Sequence, residues 1–76
     1  MAMLVRYEKT RDNETLVEYR FGTGGRLDRV LVLDKRTMEA ELPDGRFDTA
    51  YTMAMSHILE EKERLGYYPV IGSSVS

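Results

Sequence analysis

His57 is the single histidine of a 76-residue chain that contains no cysteine. Neither a two-histidine metal site nor a thiolate site can be assembled from one copy of it. His57 precedes Glu60 and Glu61 by three and four positions, which suits a surface histidine held by neighbouring carboxylates. Its alternative use is a pH-sensitive contact in an interface, because histidine changes charge near neutrality. Asp28, Asp34, Glu39, Glu41, Asp44 and Asp48 could supply a general acid and base only if burial shifted their protonation. Most of them fall at turns or on the outward alternates of strands. Gly22-x-Gly24-Gly25 has the composition of a phosphate loop, but such a loop joins a strand to a helix and needs further glycines or a Lys-Ser/Thr pair. Here the next segment, Leu27 to Leu33, reads as another strand, so the glycines read as a turn or bulge.

Two sets of residues could serve binding. Arg6, Arg20, Arg26, Arg29, Lys35 and Arg36 make the first half of the chain mildly basic and could follow a phosphate backbone. Residues 1 to 36 carry eight Lys or Arg against six Asp or Glu, while residues 37 to 76 carry three against seven. Glu8 and Glu18 interleave with Arg6 and Arg20, which favours cross-strand pairs over a nucleic-acid platform. The second set is Met53, His57, Tyr67 and Tyr68, since Met and aromatic side chains are enriched at the cores of protein interfaces.

Composition bounds the rest. At 42% hydrophobic and 32% charged, with net charge -2, the chain is too apolar for disorder and too polar for a membrane span. The length suits one domain. The lack of cysteine favours a reducing, cytoplasmic setting. The N-terminal Met1-Ala2-Met3-Leu4-Val5-Arg6 reaches a charge too early for a signal peptide.

The elements that must position these residues read as short strands followed by one helix. Val5 and Tyr7 alternate with Arg6 and Glu8, and Val17, Tyr19 and Phe21 alternate with Glu18 and Arg20, the period of strands with one buried face. Closing them symmetrically over Thr10–Glu14 pairs Val5 with Tyr19 and Tyr7 with Val17. The continuous run Val30-Leu31-Val32-Leu33 suits the middle of a sheet. Asp34–Thr37 reads as a turn into Met38–Leu42, and Pro43-Asp44-Gly45 ends the strand series. Asp48 suits a helix N-cap and Gly66 a left-handed helix end. On a wheel at about 100° per residue, Phe47, Ala50, Tyr51, Ala54, Met55, Ile58, Leu59 and Leu65 share one face. Glu60 and Arg64 have the spacing of an ion pair.

The order of strands and a helix ending Lys62-Glu63-Arg64-Leu65-Gly66-Tyr67 resembles that of the WGR domains found beside DNA-repair and polymerase modules. Their defining Trp-Gly-Arg has no counterpart, Phe21-Gly22-Thr23 standing nearest, so no functional residue is carried across.

The expected architecture is therefore α+β: a three- to four-stranded, mainly antiparallel β-meander followed by one C-terminal amphipathic helix packed on one sheet face. Residues 1–71 form the globular domain and 72–76 a flexible tail. The expected core is Val5, Tyr7, Val17, Tyr19, Phe21, Leu31, Leu33, Met38, Tyr51, Ala54, Ile58 and Leu65. The expected role is a small protein-interaction or regulatory module without catalytic activity, cofactor, metal or membrane. Its partner is another protein or a second copy, with nucleic acid as the alternative.

Overall fold

A computed structural model describes residues 3–76. Five strands and one helix follow in the order β1 (Leu4–Asp12), β2 (Leu16–Thr23), β3 (Arg29–Asp34), β4 (Ala40–Glu41), α1 (Thr49–Leu65) and β5 (Ile71–Val75). The strands form one antiparallel sheet, β4-β3-β2-β1-β5. The α+β class holds, but the strand count rises to five. The segment expected as a flexible tail is β5, which pairs with β1 from Leu4↔Val75 to Glu8↔Ile71. The helix is thus the last element but one.

Alternation governs the inner face. Val5 and Tyr7 on β1, Val17, Tyr19 and Phe21 on β2, and Leu31 and Leu33 on β3 are all buried. They share one hydrophobic cluster with Ala50, Ala54, Met55 and Ile58 of α1 and with Leu42 and Tyr68. Burying each large apolar side chain contributes about 1.5–3 kcal/mol. Tyr7 and Tyr19 meet edge to face, with ring centroids 5.5 Å apart.

The β1–β2 hairpin is longer than expected. Tyr7 lies opposite Phe21 and Val5 opposite Thr23, four residues from the symmetric register. An even displacement keeps every side chain on its face, whereas an odd one would turn the apolar set outward. Two local devices set this register. The Asn13 carboxamide oxygen accepts from the amides of Thr15 and Leu16 at 2.9 and 3.0 Å, tightening the turn to Asn13–Thr15. A bulge at Thr10 absorbs the extra residue, and the Thr10 hydroxyl donates to the Glu18 carboxylate at 2.8 Å.

β2, not β3, is the central strand, because β3 has only the two-residue β4 beyond it. The β3–β4 turn is fastened by Asp34, whose carboxylate accepts from the Arg36 and Thr37 amides at 2.8 and 3.1 Å. It closes with Met38 in the left-handed region at φ 63°. That conformation turns the Met38 side chain out of the core in which it was expected.

The helix has the expected bounds. Its cap, Asp48, accepts from the Tyr51 amide at 3.1 Å, and Gly66 at φ 84° donates its N–H to the Lys62 carbonyl at 2.9 Å. Phe47 lies outside the cap, is 62% exposed, and meets Tyr51 edge on instead of entering the core. Tyr51 and Leu65 are only half-buried. Arg64 pairs with Glu61, not Glu60.

After Gly66 the chain returns to the sheet along fixed contacts. The Tyr19 hydroxyl donates to the Pro69 carbonyl, the Lys9 ammonium to the Tyr68 carbonyl at 3.1 Å, and the Lys9 amide to the Val70 carbonyl at 2.7 Å. These bonds deliver Ile71 to the side of β1.

Candidate functional site

The four residues expected to form an interaction flank have separate placements. The Tyr68 ring is buried, its hydroxyl donating to Met38 Sδ at 3.9 Å and its face meeting Lys35 and Lys62 at 5.3 and 5.5 Å. Tyr67, beside it in sequence, is 58% exposed. Met53 is half-buried against the hydrophobic cluster. His57 turns toward the sheet, with Nδ1 2.7 Å from the Tyr7 hydroxyl and Nε2 3.8 Å from Glu61 Oε1. Burial, and then the Glu61 charge, push the Tyr7 hydroxyl up to about 12. Tyr7 and Glu61 both face this histidine, which the sequence alone places merely on a helix flank.

The cationic set divides as well. Arg29 lies over the Phe21 ring at 4.5 Å and binds Asp44 at 2.8 Å, Asp48 at 2.9 Å and the Arg46 carbonyl at 2.8 Å. These bonds fasten the Pro43–Asp48 loop to β3. The Arg29 guanidinium, followed by the Arg46 amide, holds the Asp44 carboxyl down at about 2. Lys35 binds Asp12 and the Asn13 carbonyl, joining the β1–β2 turn to the β3–β4 turn. Both cations are thereby occupied within the fold. Arg6 and Arg20 are exposed on the outer sheet face, while Arg26 and Arg36 are exposed on loops. Arg20 lies directly opposite Glu8.

Carboxylates serve as turn and cap acceptors. Asp34, Asp44 and Asp48 each bind a nearby backbone amide, which is the main cause lowering the protonation range of Asp34 and Asp48 and second to Arg29 for Asp44. Beside Arg29 lies an open cleft of about 600 Å³ lined by Arg26, Asp28, Asp44, Arg46 and Asp48, with mixed charge. Gly22 lies where the following loop crosses the strand, and a Cβ there would fall 2.2 Å from the Arg26 carbonyl oxygen. Gly24 and Gly25, at φ 62° and 83°, turn the chain. Among the described residues no group of three His, Asp or Glu side chains is placed to hold a metal ion, and no helix is long and apolar enough to cross a membrane.

The remaining surface of note is β5. Met3 and Ser76 exchange both backbone bonds at 3.1 Å, and alternation gives Val5 with Ser74 and Tyr7 with Gly72 the same relation. The N–H and C=O groups of Ile71, Ser73 and Val75 therefore point away from β1. Among the described residues no strand pairs with that side. Ile71 and Val75 are 69% and 66% exposed, and the strand holds no proline and no charge. Exposed edges are ordinarily blunted by such residues, by bulges or by brevity. The opposite edge, β4, is blunted by its two-residue length.

Gly72 accounts for the position of β5. A Cβ at Gly72 would lie 2.3 Å from the Tyr7 hydroxyl oxygen, so only glycine lets the strand close over that ring. On the outer face Ile71 borders a hollow of about 330 Å³ with Leu27, Arg6 and Glu8. Composition hides this strand, because Gly-Ser-Ser reads as a flexible segment. The period-two placement of Ile71, Ser73 and Val75 is the signal that could reveal it.

The chain matches no protein-family model, and no curated protein or solved structure aligns with it significantly.

Proposed function

We propose that this chain is a small, non-catalytic protein-interaction module that binds by accepting an extended strand along β5. The carrying observation is the outward row of backbone groups at Ile71, Ser73 and Val75, flanked by exposed apolar side chains. Strand addition of this kind takes affinity from main-chain hydrogen bonds and selectivity from the alternate side chains. The hollow beside Ile71, lined by Leu27, Arg6 and Glu8 among others, would supply selectivity on the outer face.

The catalytic alternative has little chemistry to draw on. His57 is engaged with Tyr7, and Asp34, Asp44 and Asp48 are engaged with backbone amides. A cytoplasmic setting accords with the absence of cysteine.

Ser73→Pro gives a clean test, since the Ser73 amide points outward and its loss removes no bond to β1. Displayed eight-residue peptides selected on the wild-type chain should lose binding at least tenfold against Ser73→Pro. Equal enrichment on both proteins, or none on either from a chain that also stays monomeric, would overturn the strand-acceptor reading.

A further inference from the structure

We propose that the strand accepted by β5 is β5 of a second copy, paired antiparallel about a two-fold axis at Ser73. The inference rests on the strand-acceptor reading above and names its partner.

The outward groups belong to residues 71, 73 and 75, spaced evenly about Ser73. Rotation about Ser73 places Ile71 opposite Val75 of the other copy, Ser73 opposite Ser73, and Val75 opposite Ile71. Each of these three positions becomes a hydrogen-bonded pair, in which both residues donate and accept. Every outward amide and carbonyl of β5 then has a partner. The side chains of the same residues share the outer sheet face, so two Ile–Val contacts flank a central Ser–Ser contact. Apolar cross-strand pairs of this kind are favourable. The Leu4↔Val75 pair already within each copy extends the apolar row across the junction.

Charge permits this union. Ile71–Val75 contains no ionisable side chain. The nearest like charges on the axis row are the two Arg6 side chains, because Arg6 lies opposite Ser73 in each copy. Three strand spacings separate them, roughly 14 Å, beyond the Debye length of about 8 Å at physiological salt. Area then sets the strength. A durable interface buries about 800 Å² per partner, roughly a sixth of the 4988 Å² surface of this chain. One five-residue edge buries less, so the pair belongs with the weak, concentration-dependent associations.

The absence of native cysteine makes the register directly readable. A Ser73→Cys variant brings two cysteines to a Cα separation of about 5.5 Å, within reach of a short bifunctional thiol reagent, and should crosslink to a covalent dimer. Ile71→Cys alone and Val75→Cys alone hold their cysteines roughly 14 Å apart and should not crosslink, whereas their mixture should. In sedimentation from about 5 µM to about 1 mM the average mass should rise from 8.8 kDa toward twice that value, and Ser73→Pro should abolish the rise. A constant 8.8 kDa without crosslinking, or self-crosslinking of Val75→Cys, overturns self-pairing at Ser73. Peptides that bind a strictly monomeric chain but not Ser73→Pro would leave the strand-acceptor reading standing without the second copy.

Discussion

The Tyr7 hydroxyl stands 2.7 Å from His57 Nδ1, joining the first strand to the helix across fifty positions of sequence. With Nδ1 as acceptor, the hydroxyl donates and the Nε2–H faces Glu61. Tyr7→Phe should cost about 1 kcal/mol, the net worth of one such bond, and lower Tm by about 4–8 °C. Burial also raises the Tyr7 hydroxyl from 10.0 to about 12. A folded-state value above the unfolded one contributes stability that is complete below pH 10 and is lost as pH climbs toward 12. The alkaline limb of a urea-stability profile should therefore be shallower in Tyr7→Phe. It should not vanish, since burial raises Tyr19 as well. Superimposable limbs would refute the assignment.

Gly72→Ala should destabilise by about 1–3 kcal/mol, the usual cost of forcing extra volume into a packed site. Removing the Tyr7 hydroxyl should relieve only part of that cost, because the Tyr7 Cζ also lies 2.5 Å from the added Cβ position. A double-mutant cycle with Tyr7→Phe, read by urea denaturation, should show coupling of at least 0.5 kcal/mol. Strict additivity would place the strain elsewhere.

Arg29 is the point at which acid should act. Its hydrogen bond, followed by the Arg46 amide, holds Asp44 at about 2, and after the Tyr51 amide it also lowers Asp48. Depressed carboxyls contribute stability that is complete above about pH 4 and is lost as pH falls toward 2. Arg29→Met keeps apolar cover on Phe21 but removes the charge. It should lower the urea midpoint at pH 7 and flatten the acid limb between about pH 4 and 2. An unchanged acid limb would contradict this arrangement.

Met38→Gly should stabilise the chain. A side chain in the left-handed region costs about 1–2 kcal/mol, which exceeds the 0.5–1 kcal/mol by which glycine favours the unfolded chain. The expected gain is about 0.5 kcal/mol, measured as a higher urea midpoint at unchanged slope. A loss would mean that the 3.9 Å contact between Tyr68 and Met38 Sδ outweighs the strain.

Sequence legibility followed the range of the determining interaction. The helix was readable to its ends because Asp48 and Gly66 act within one turn of themselves. The inner faces of β1 and β2 were readable because alternation is local, but their register depends on the Asn13 turn and the Thr10 bulge, and it moved by four residues. β5 was hidden because its shape answers to Tyr7, sixty-five positions away, and its own Gly-Ser-Ser carries little strand preference. The apolar run of β3 suggested a central strand. Leu31 and Leu33 are buried, but Val30 and Val32 lie half-open on a sheet face that no second layer of the described residues covers, one strand from the edge. Among the candidate binding residues, identity indicated chemistry but not commitment. Tyr68, Arg29 and Lys35 serve the fold, while the open edge consists of backbone that side-chain motifs do not reveal.

Pairing Leu4 with Val75 joins positions separated by nearly the whole chain, whereas the β1–β2 hairpin closes over a turn of three residues. The entropic cost of closure grows with the logarithm of the loop, so β5 should dock last and peel away first. Backbone bonding alternates along β1: the amides of Val5, Tyr7 and Lys9 face β5, while those of Arg6 and Glu8 face β2. Neighbouring amides of a single strand should thus belong to different cooperative units. In native-state deuterium exchange the odd positions should open with β5, and the even ones only when the hairpin itself dissolves.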